Sequence, residues 1–131
     1  YVELRSMDAC GWECLCSGPA FNTGILYGNL DETFELVSKW DKNKIINAYL
    51  EAPKKGFSTQ LMGKDLFYWA STLLQISKRG LDNRDVIGKN DYNETHYLNH
   101  LEKIIDKRLT NADHMIAKFS KSENLNDLYD K

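Results

Sequence analysis

The sequence predicts a mainly α-helical protein in which one N-terminal β-strand precedes about six helices. Polar and apolar side chains alternate over residues 1–5, a period of two that is typical of a strand. Apolar residues then recur at spacings of three and four in several later segments, as they do on one face of a helix. Most of these segments are bounded by Asp, Thr, Gly or Pro, residues that begin and end helices.

The predicted strand has one chemically equipped face. Glu3 and Arg5 share this face with Tyr1, whereas Val2 and Leu4 point the other way. Two residues along a strand are separated by about 6.6 Å, so this carboxylate and guanidinium could contact the same polyanion. The carboxylate could hold a divalent metal while the guanidinium grips phosphate oxygens. A solvated surface ion pair is the alternative that this spacing leaves open.

After the strand, a loop without periodicity is predicted up to Gly18. Three helices are expected from Pro19 to about Gly28, from Leu30 to Trp40 and from Asp41 to Pro53. A fourth is expected over residues 64–79, with Gly80 as the stop. Two more begin at Glu94 and at Thr110, which forms a capping arrangement with Asp113. Residues 81–92 are polar and are predicted to form a mobile surface loop.

Each helix is expected to bury its apolar stripe. In the second helix the stripe consists of Leu30, Phe34 and Val37, and in the third it consists of Ile45, Ile46, Tyr49 and Leu50. The helix over residues 64–79 has the clearest stripe, rich in aromatic residues, and it is expected to form the core rather than a ligand pocket.

A single strand cannot form a sheet, because its backbone groups would stay unpaired. We therefore expect the partner strands to come from a segment that precedes this sequence, which begins at Tyr1 and not at Met.

Composition excludes some classes of protein. Seventeen basic and nineteen acidic residues give a net charge of −2, so no general field attracts nucleic acid or an anionic membrane. No apolar run is long enough to span a membrane, and no leader is recognisable, which leads to the expectation of a cytoplasmic protein. Three clustered cysteines, Cys10, Cys14 and Cys16, predict free thiols in a reducing compartment, with redox control as the alternative.

One further pattern is weaker. His96 and His100 are four residues apart, a spacing that allows two imidazoles to share a metal on a helix. No third ligand accompanies them, so surface histidines are expected instead of a zinc site.

The first quarter of the sequence resembles a known family. The string Y-V-E-L-R-S-M-D at residues 1–8 is similar to the strand of glutamate-cysteine ligases, with Glu3, Arg5 and Asp8 at the matching positions. The plant and proteobacterial branch of that family also has a segment similar to the following pattern, which comprises Trp12, Leu15, Cys16, Pro19, Ala20, Phe21, Gly24, Leu26 and Tyr27. A looser similarity continues to Thr110–Asp113.

The resemblance implies an ATP-dependent ligase with a glutamine-synthetase-like core, which joins the γ-carboxylate of glutamate to the amine of cysteine through a γ-glutamyl phosphate, the first step of glutathione biosynthesis. By this resemblance, Glu3 is the magnesium ligand, and Arg5 is the catalytic residue that binds the ATP phosphates. Asp8 is expected to fix the loop.

The resemblance also divides the chain. Residues 1–29 are expected to end the catalytic core, and residues 30–131 to form a helical C-terminal region. Expected partners are glutamate, cysteine, ATP with Mg, the N-terminal portion of the same enzyme and a second copy in a homodimer, but neither nucleic acid nor a membrane. The fragment alone is expected to be inactive. The alternative is a non-catalytic helical module that binds a partner by strand addition.

Overall fold

A computed structural model describes residues 3–4, 11–89 and 91–121. This part of the chain contains six α-helices and one small hairpin. The helices are α1 (Ser17–Thr23), α2 (Leu30–Val37), α3 (Lys42–Lys55), α4 (Leu66–Arg84), α5 (Asn99–Lys107) and α6 (Asn111–Phe119), and the strands are β1 (Gln60–Leu61) and β2 (Lys64–Asp65). The prediction of a mainly helical protein with about six helices is confirmed.

The predicted N-terminal strand falls largely outside the described residues. Of residues 1–6 only Glu3 and Leu4 are described, and they belong to neither a helix nor a strand. The two strands of the hairpin pair in antiparallel register, with Gln60 opposite Asp65 and Leu61 opposite Lys64.

The long helix α4 is the centre of the molecule. Helix α1, the turn that follows it, a 3-10 turn at Glu94–Leu98 and helix α5 all pack against α4. The buried cluster between these elements consists of Ala20, Leu74, Leu81 and Leu98, with Phe21, Leu101 and Ile105 packed against it. Leu74 and Ile76 of α4 are buried, each with 2% of its surface exposed.

Three glycines bring two backbones into direct contact. Residues Gly24–Gly28 form a π-helical turn after α1, and this turn lies against α4 at Ser77 and Gly80. A Cβ atom added to Gly80 would lie 2.0 Å from the Gly24 carbonyl oxygen, and one added to Gly28 would lie 2.1 Å from the Gly80 carbonyl oxygen. The buried Ser77 hydroxyl also donates a 2.8 Å hydrogen bond to the Phe21 carbonyl across the same contact.

This contact explains why the predicted end of α4 at Gly80 is wrong. Gly80 lies inside the helix, where glycine is otherwise unfavourable, because only a residue without a side chain allows the π turn to approach. The helix ends at Arg84, followed by Asp85 in the left-handed conformation with φ of 49°. The predicted loop over residues 81–92 is therefore wrong for its first four residues.

The hairpin is tied to both neighbouring helices. Its turn consists of Met62 and Gly63, both with positive φ, as a two-residue turn of the favoured twist requires. The Trp69 indole N–H of α4 donates a 2.7 Å hydrogen bond to the Leu61 carbonyl, and the Trp69 ring meets the Trp40 ring edge-on at 4.8 Å. Trp69 thus links α4 to the hairpin and to the segment that precedes α3, and strand β1 also packs against α3.

Side chains cap three helices. Asp41 accepts a 2.9 Å hydrogen bond from the Lys44 N–H at the start of α3, and Asp65 accepts one of 2.8 Å from Tyr68 at the start of α4. Thr110 and Asp113 form the predicted capping box of α6. Helix α3 continues past Pro53 to Lys55, so the predicted stop at Pro53 is wrong, and Gly56 with positive φ follows its last residue.

The apolar stripes of α2 and α3 are not buried within the described part of the chain. Phe34 and Tyr49 expose 67% and 78% of their surface, and Leu30, Ile45, Ile46 and Leu50 are also exposed. The residues that face inward are small: Thr33 in α2 and Ala48 in α3. The prediction that these stripes are buried is therefore wrong except for Val37 of α2, which is partly buried.

Candidate functional site

Of Glu3 and Arg5, the two residues predicted to act on the nucleotide, the structure describes only Glu3. Glu3 is exposed. Arg5 and Asp8 lie outside the described residues. Whether Glu3 and Arg5 face the same way therefore stays a prediction.

The segment that leads from Glu3 into the helical body is anchored at its far end. A 3-10 turn at Trp12–Cys14 packs against α5, and Cys14 and Ser17 are buried at its base. The Cys14 sulfur lies 3.3 Å from the Gly11 carbonyl oxygen. This is a contact and not a hydrogen bond, because Cys14 is disulfide-bonded and its sulfur has no hydrogen to donate.

The cysteines differ from the expected set of free thiols. Cys14 is disulfide-bonded, whereas Cys16 is free and exposed, and Cys10 lies outside the described residues. The free-thiol prediction is therefore wrong for Cys14 and confirmed for Cys16.

A polar pocket lies beside this anchor. Its volume is about 270 Å³, and it is lined by Glu13, His96, Tyr97, Asn99, His100 and Lys103. His96 stacks on Tyr92 at 4.7 Å, and its Nδ1 lies 3.3 Å from the Asn99 amide nitrogen. The buried Nε2 of His100 has no hydrogen-bond partner among the residues that the structure describes. Charged or polar groups of a neighbouring segment would suit this pocket, because it combines one acid, one lysine and two imidazoles.

His96 and His100 both line this polar pocket. Among the residues that the structure describes, no group of three or more His, Cys, Asp or Glu side chains could hold a metal ion. For magnesium, which binds oxygen ligands, the described residues offer the Glu3 carboxylate, a ligand of the right chemical type.

An apolar cleft runs along α4 on the side of the hairpin. It has a volume of about 410 Å³ and is lined by Trp40, Ala52, Gly56, Phe57, Leu61, Leu66, Trp69, Ala70, Leu73 and Thr110. Four residues of the stripe predicted as core, Leu66, Trp69, Ala70 and Leu73, line this cleft and are only partly buried. Sequence reasoning missed the cleft because periodicity identifies an apolar face but not what covers it.

Among the residues that the structure describes, two carboxyl groups have a shifted pKa, and both lie away from Glu3 in the sequence. Hydrogen bonds from the Thr110 side chain and backbone lower the pKa of Asp113, and the Lys55 ammonium lowers that of Glu51. Both shifts belong to helix-stabilising contacts. None of the described helices is both long and apolar enough to cross a membrane.

Comparison with known proteins identifies relatives. The chain is 28% identical over 121 residues to the chloroplastic glutamate–cysteine ligase of Solanum lycopersicum. The matched region comprises 91% of this chain and 22% of the relative. The Nicotiana tabacum enzyme gives the same identity and coverage, and the Arabidopsis thaliana enzyme is 26% identical over 122 residues. The chain thus spans about 22% of the length of these relatives.

The relatives are named chloroplastic, and these names give no support to the expected cytoplasmic location. The profile of the Glutamate-cysteine ligase family 2 matches residues 1–131. Since this match extends over the whole chain, the protein belongs to the Glutamate-cysteine ligase family 2.

Proposed function

We propose that this chain works as part of an ATP-dependent glutamate–cysteine ligase and supplies one acid and one arginine to its nucleotide site. The family match over residues 1–131 is the observation that carries the proposal. The relatives are named glutamate–cysteine ligases. The exposed Glu3 carboxylate agrees with a residue that contacts a ligand.

The proposed reaction has two steps. The terminal phosphoryl group of ATP passes to a γ-carboxylate oxygen of glutamate and leaves ADP. The amine of cysteine then attacks the γ-carbonyl carbon, phosphate leaves, and an amide bond forms. Both steps depend on positioning and on neutralising charge around phosphate oxygens.

Each proposed residue has one role. The Arg5 guanidinium donates hydrogen bonds to the transferring phosphate, for which its planar, always charged fork is suited. The Glu3 carboxylate would hold Mg²⁺, which would supply positive charge to offset the charge of the phosphate oxygens. The other magnesium ligands and the sites for glutamate and cysteine are proposed to come from the N-terminal portion of the enzyme, so the 131-residue chain alone should be inactive.

The two-part division of the chain, with residues 1–29 at the end of the catalytic core and residues 30–131 as a helical region, also remains a proposal. So does the cytoplasmic location. A non-catalytic helical module remains the second candidate function, since residues 11–121 include six helices that expose bulky apolar faces.

Product formation tests the proposal. The polypeptide encoded by the complete reading frame is incubated with ATP, Mg²⁺, glutamate and cysteine, and γ-glutamylcysteine and ADP are measured by mass spectrometry. We expect ADP release to depend on both amino acids and to match dipeptide formation. The 131-residue chain is the control and should form no product. The non-catalytic alternative is favoured if the complete polypeptide forms none either.

A further inference from the structure

Helix α6 packs weakly against the rest of the described chain. None of its nine residues is buried, and all of them except Asp113 are exposed. Helices α1, α4 and α5 pack against one another, whereas α6 makes no contact of that extent with any other described element. An isolated helix of fewer than about 12 residues is only marginally stable in water, because helical stability comes mainly from the packing of an apolar face. Helix α6 therefore needs a surface to pack on.

One side of α6 is apolar. Its four apolar residues recur at spacings of three and four and lie within an arc of about 100°: Ala112, Met115, Ile116 and Phe119. We call these four residues the α6 face. Ile116 exposes 67% of its surface, and Met115 and Phe119 are also exposed. His114 and Lys118 lie on the opposite side of the helix, so the α6 face can be covered while these polar groups stay in water.

The apolar cleft along α4 begins where α6 begins. Thr110, the N-cap of α6, is one of the residues that line this cleft of about 410 Å³, and Trp40 and Trp69 line it as well. At 1.5 Å per residue, Met115 and Ile116 lie about 8 Å and about 9 Å along the helix from Thr110. An uncovered apolar helix face and an uncovered apolar cleft therefore meet at one residue of the same chain.

The connection from α5 to α6 is short, and its first residue is held in place. Arg108 has φ of 52°, and its guanidinium lies 3.8 Å from the centre of the Phe67 ring. The next residue, Leu109, is exposed, and its N–H donates a 3.3 Å hydrogen bond to the Ile104 carbonyl. The backbone bonds that can turn α6 are therefore those between the Leu109 N–H and the Thr110 cap. A few backbone dihedral angles at such a position are enough to move a helix as a rigid unit.

We propose that α6 turns about the link between Leu109 and Thr110 and closes over the apolar cleft, with Met115 and Ile116 inserted between its walls. The capping box moves with the helix, because both of its residues belong to the first turn of α6. Closure covers the α6 face and the cleft together, whereas the position in the structure leaves both exposed. Another group that binds in the cleft would have to displace α6. The inference does not depend on ligase activity.

Contacts between protons of α6 and protons of the cleft test the proposal. The polypeptide encoded by the complete reading frame is isotope-labelled at its methionine methyl groups, and nuclear Overhauser effects to aromatic ring protons are recorded without substrates. The variant Met115→Leu identifies the Met115 signal by its loss. We expect nuclear Overhauser effects between the Met115 methyl group and the indole rings of Trp40 and Trp69, which line the cleft.

A pair of matched variants tests which side of α6 is inserted. Ile116→Asp places a carboxylate where closure would bury it without a partner, so the Met115 contacts with the indole rings should be lost. Ala117→Asp is the control, because it adds the same charge one residue further along, on the side of the helix that stays in water, and should keep these contacts. Circular dichroism verifies that both variants fold.

Three results would overturn the proposal. The first is the absence of any contact between the Met115 methyl group and the cleft rings in the unsubstituted protein, which would mean that α6 packs elsewhere. The others are contacts that persist in Ile116→Asp and contacts that are lost equally in Ala117→Asp. No reaction is measured, so none of these results can be confused with a failure of the proposed ligase function.

Discussion

At the scale of single residues, glycine at positions 24, 28 and 80 decides how closely the N-terminal helices approach α4. Because each glycine lacks a side chain, the two main chains pack directly against each other there. Backbone atoms cannot move aside as a flexible side chain can, and an added methyl group has to push two elements apart.

We predict that Gly80→Ala lowers the free energy of unfolding by about 3 kcal/mol, the upper range for overpacking, because the new Cβ meets the Gly24 carbonyl group. Urea denaturation measures this change. Gly11→Ala is the matched control, because nothing lies within 4 Å of a Cβ there, and its effect should stay within about 0.5 kcal/mol. Equal stability of the two variants would show that the helices separate without cost.

A second residue-scale prediction concerns Arg5 in the complete ligase. Arg5→Lys keeps the charge but removes the planar fork, so kcat should fall by about 100-fold or more if the guanidinium binds the transferring phosphate at two oxygens. Steady-state ADP release measures the effect. Arg79→Lys, at the exposed ion pair with Glu32, is the control and should retain activity. Unchanged kcat in Arg5→Lys would remove Arg5 from the phosphate site.

At the scale of elements, α6 depends on its first turn. The Thr110 side chain accepts a hydrogen bond from the Asp113 N–H, and Asp113 accepts two from Thr110, which lowers the pKa of the Asp113 carboxyl below its ordinary value of 3.8. A lowered pKa in the folded state means that the ionised form stabilises the helix. This stabilisation is present above pH 3.8 and is lost as the pH falls through the lowered pKa.

We therefore predict that the first turn of α6 unfolds in acid, as the pH falls through the lowered pKa of Asp113. Amide NMR signals of residues 111–114 should shift toward random-coil values as Asp113 becomes protonated. Thr110→Ala should destabilise α6 by about 1 kcal/mol at neutral pH and should reduce this acid transition, whereas Thr110→Ser should keep it. An acid transition of full size in Thr110→Ala would contradict the role given to the capping box.

Short sequence patterns predicted the ends of helices correctly where the residue has a single structural role. Asp41 and the Thr110–Asp113 box were recognisable as caps because their side chains bond to neighbouring N–H groups. Gly80 has two uses, ending a helix or permitting close contact, and the sequence alone favours the first. The hairpin was missed because Met62 takes a positive φ without the Asn-Gly or Asp-Gly signal of such turns.

Local patterns likewise predicted one part of the candidate site and missed another. Glu3 and Arg5 could be selected from strand alternation and from the family string, since both are local patterns. The apolar cleft and the polar pocket could not, because their walls come from segments far apart in the chain, such as Trp40 with Thr110 and Glu13 with Lys103. Such pairs meet only through tertiary packing.

At the scale of the whole molecule, the unusual property is the amount of apolar surface that the six helices leave open. Large apolar side chains are exposed on three helices: Leu30 and Phe34 of α2, Ile45, Ile46, Tyr49 and Leu50 of α3, and Met115, Ile116 and Phe119 of α6. This agrees with a chain that spans about 22% of its relatives' length. We expect the surfaces of α2 and α3 to be covered by a second copy or by other parts of the ligase.

The central claim is that Glu3 brings a metal-binding carboxylate to the nucleotide site of a glutamate–cysteine ligase. Its most direct test is the Mg²⁺ dependence of ATP use by the complete enzyme carrying Glu3→Gln, with Glu51→Gln as an exposed control. We predict that kcat/KM for ATP at limiting Mg²⁺ falls by about 100-fold in Glu3→Gln, that the fold stays intact, and that the control is unaffected. A Glu3→Gln enzyme with the Mg²⁺ dependence and activity of the wild type would contradict the claim.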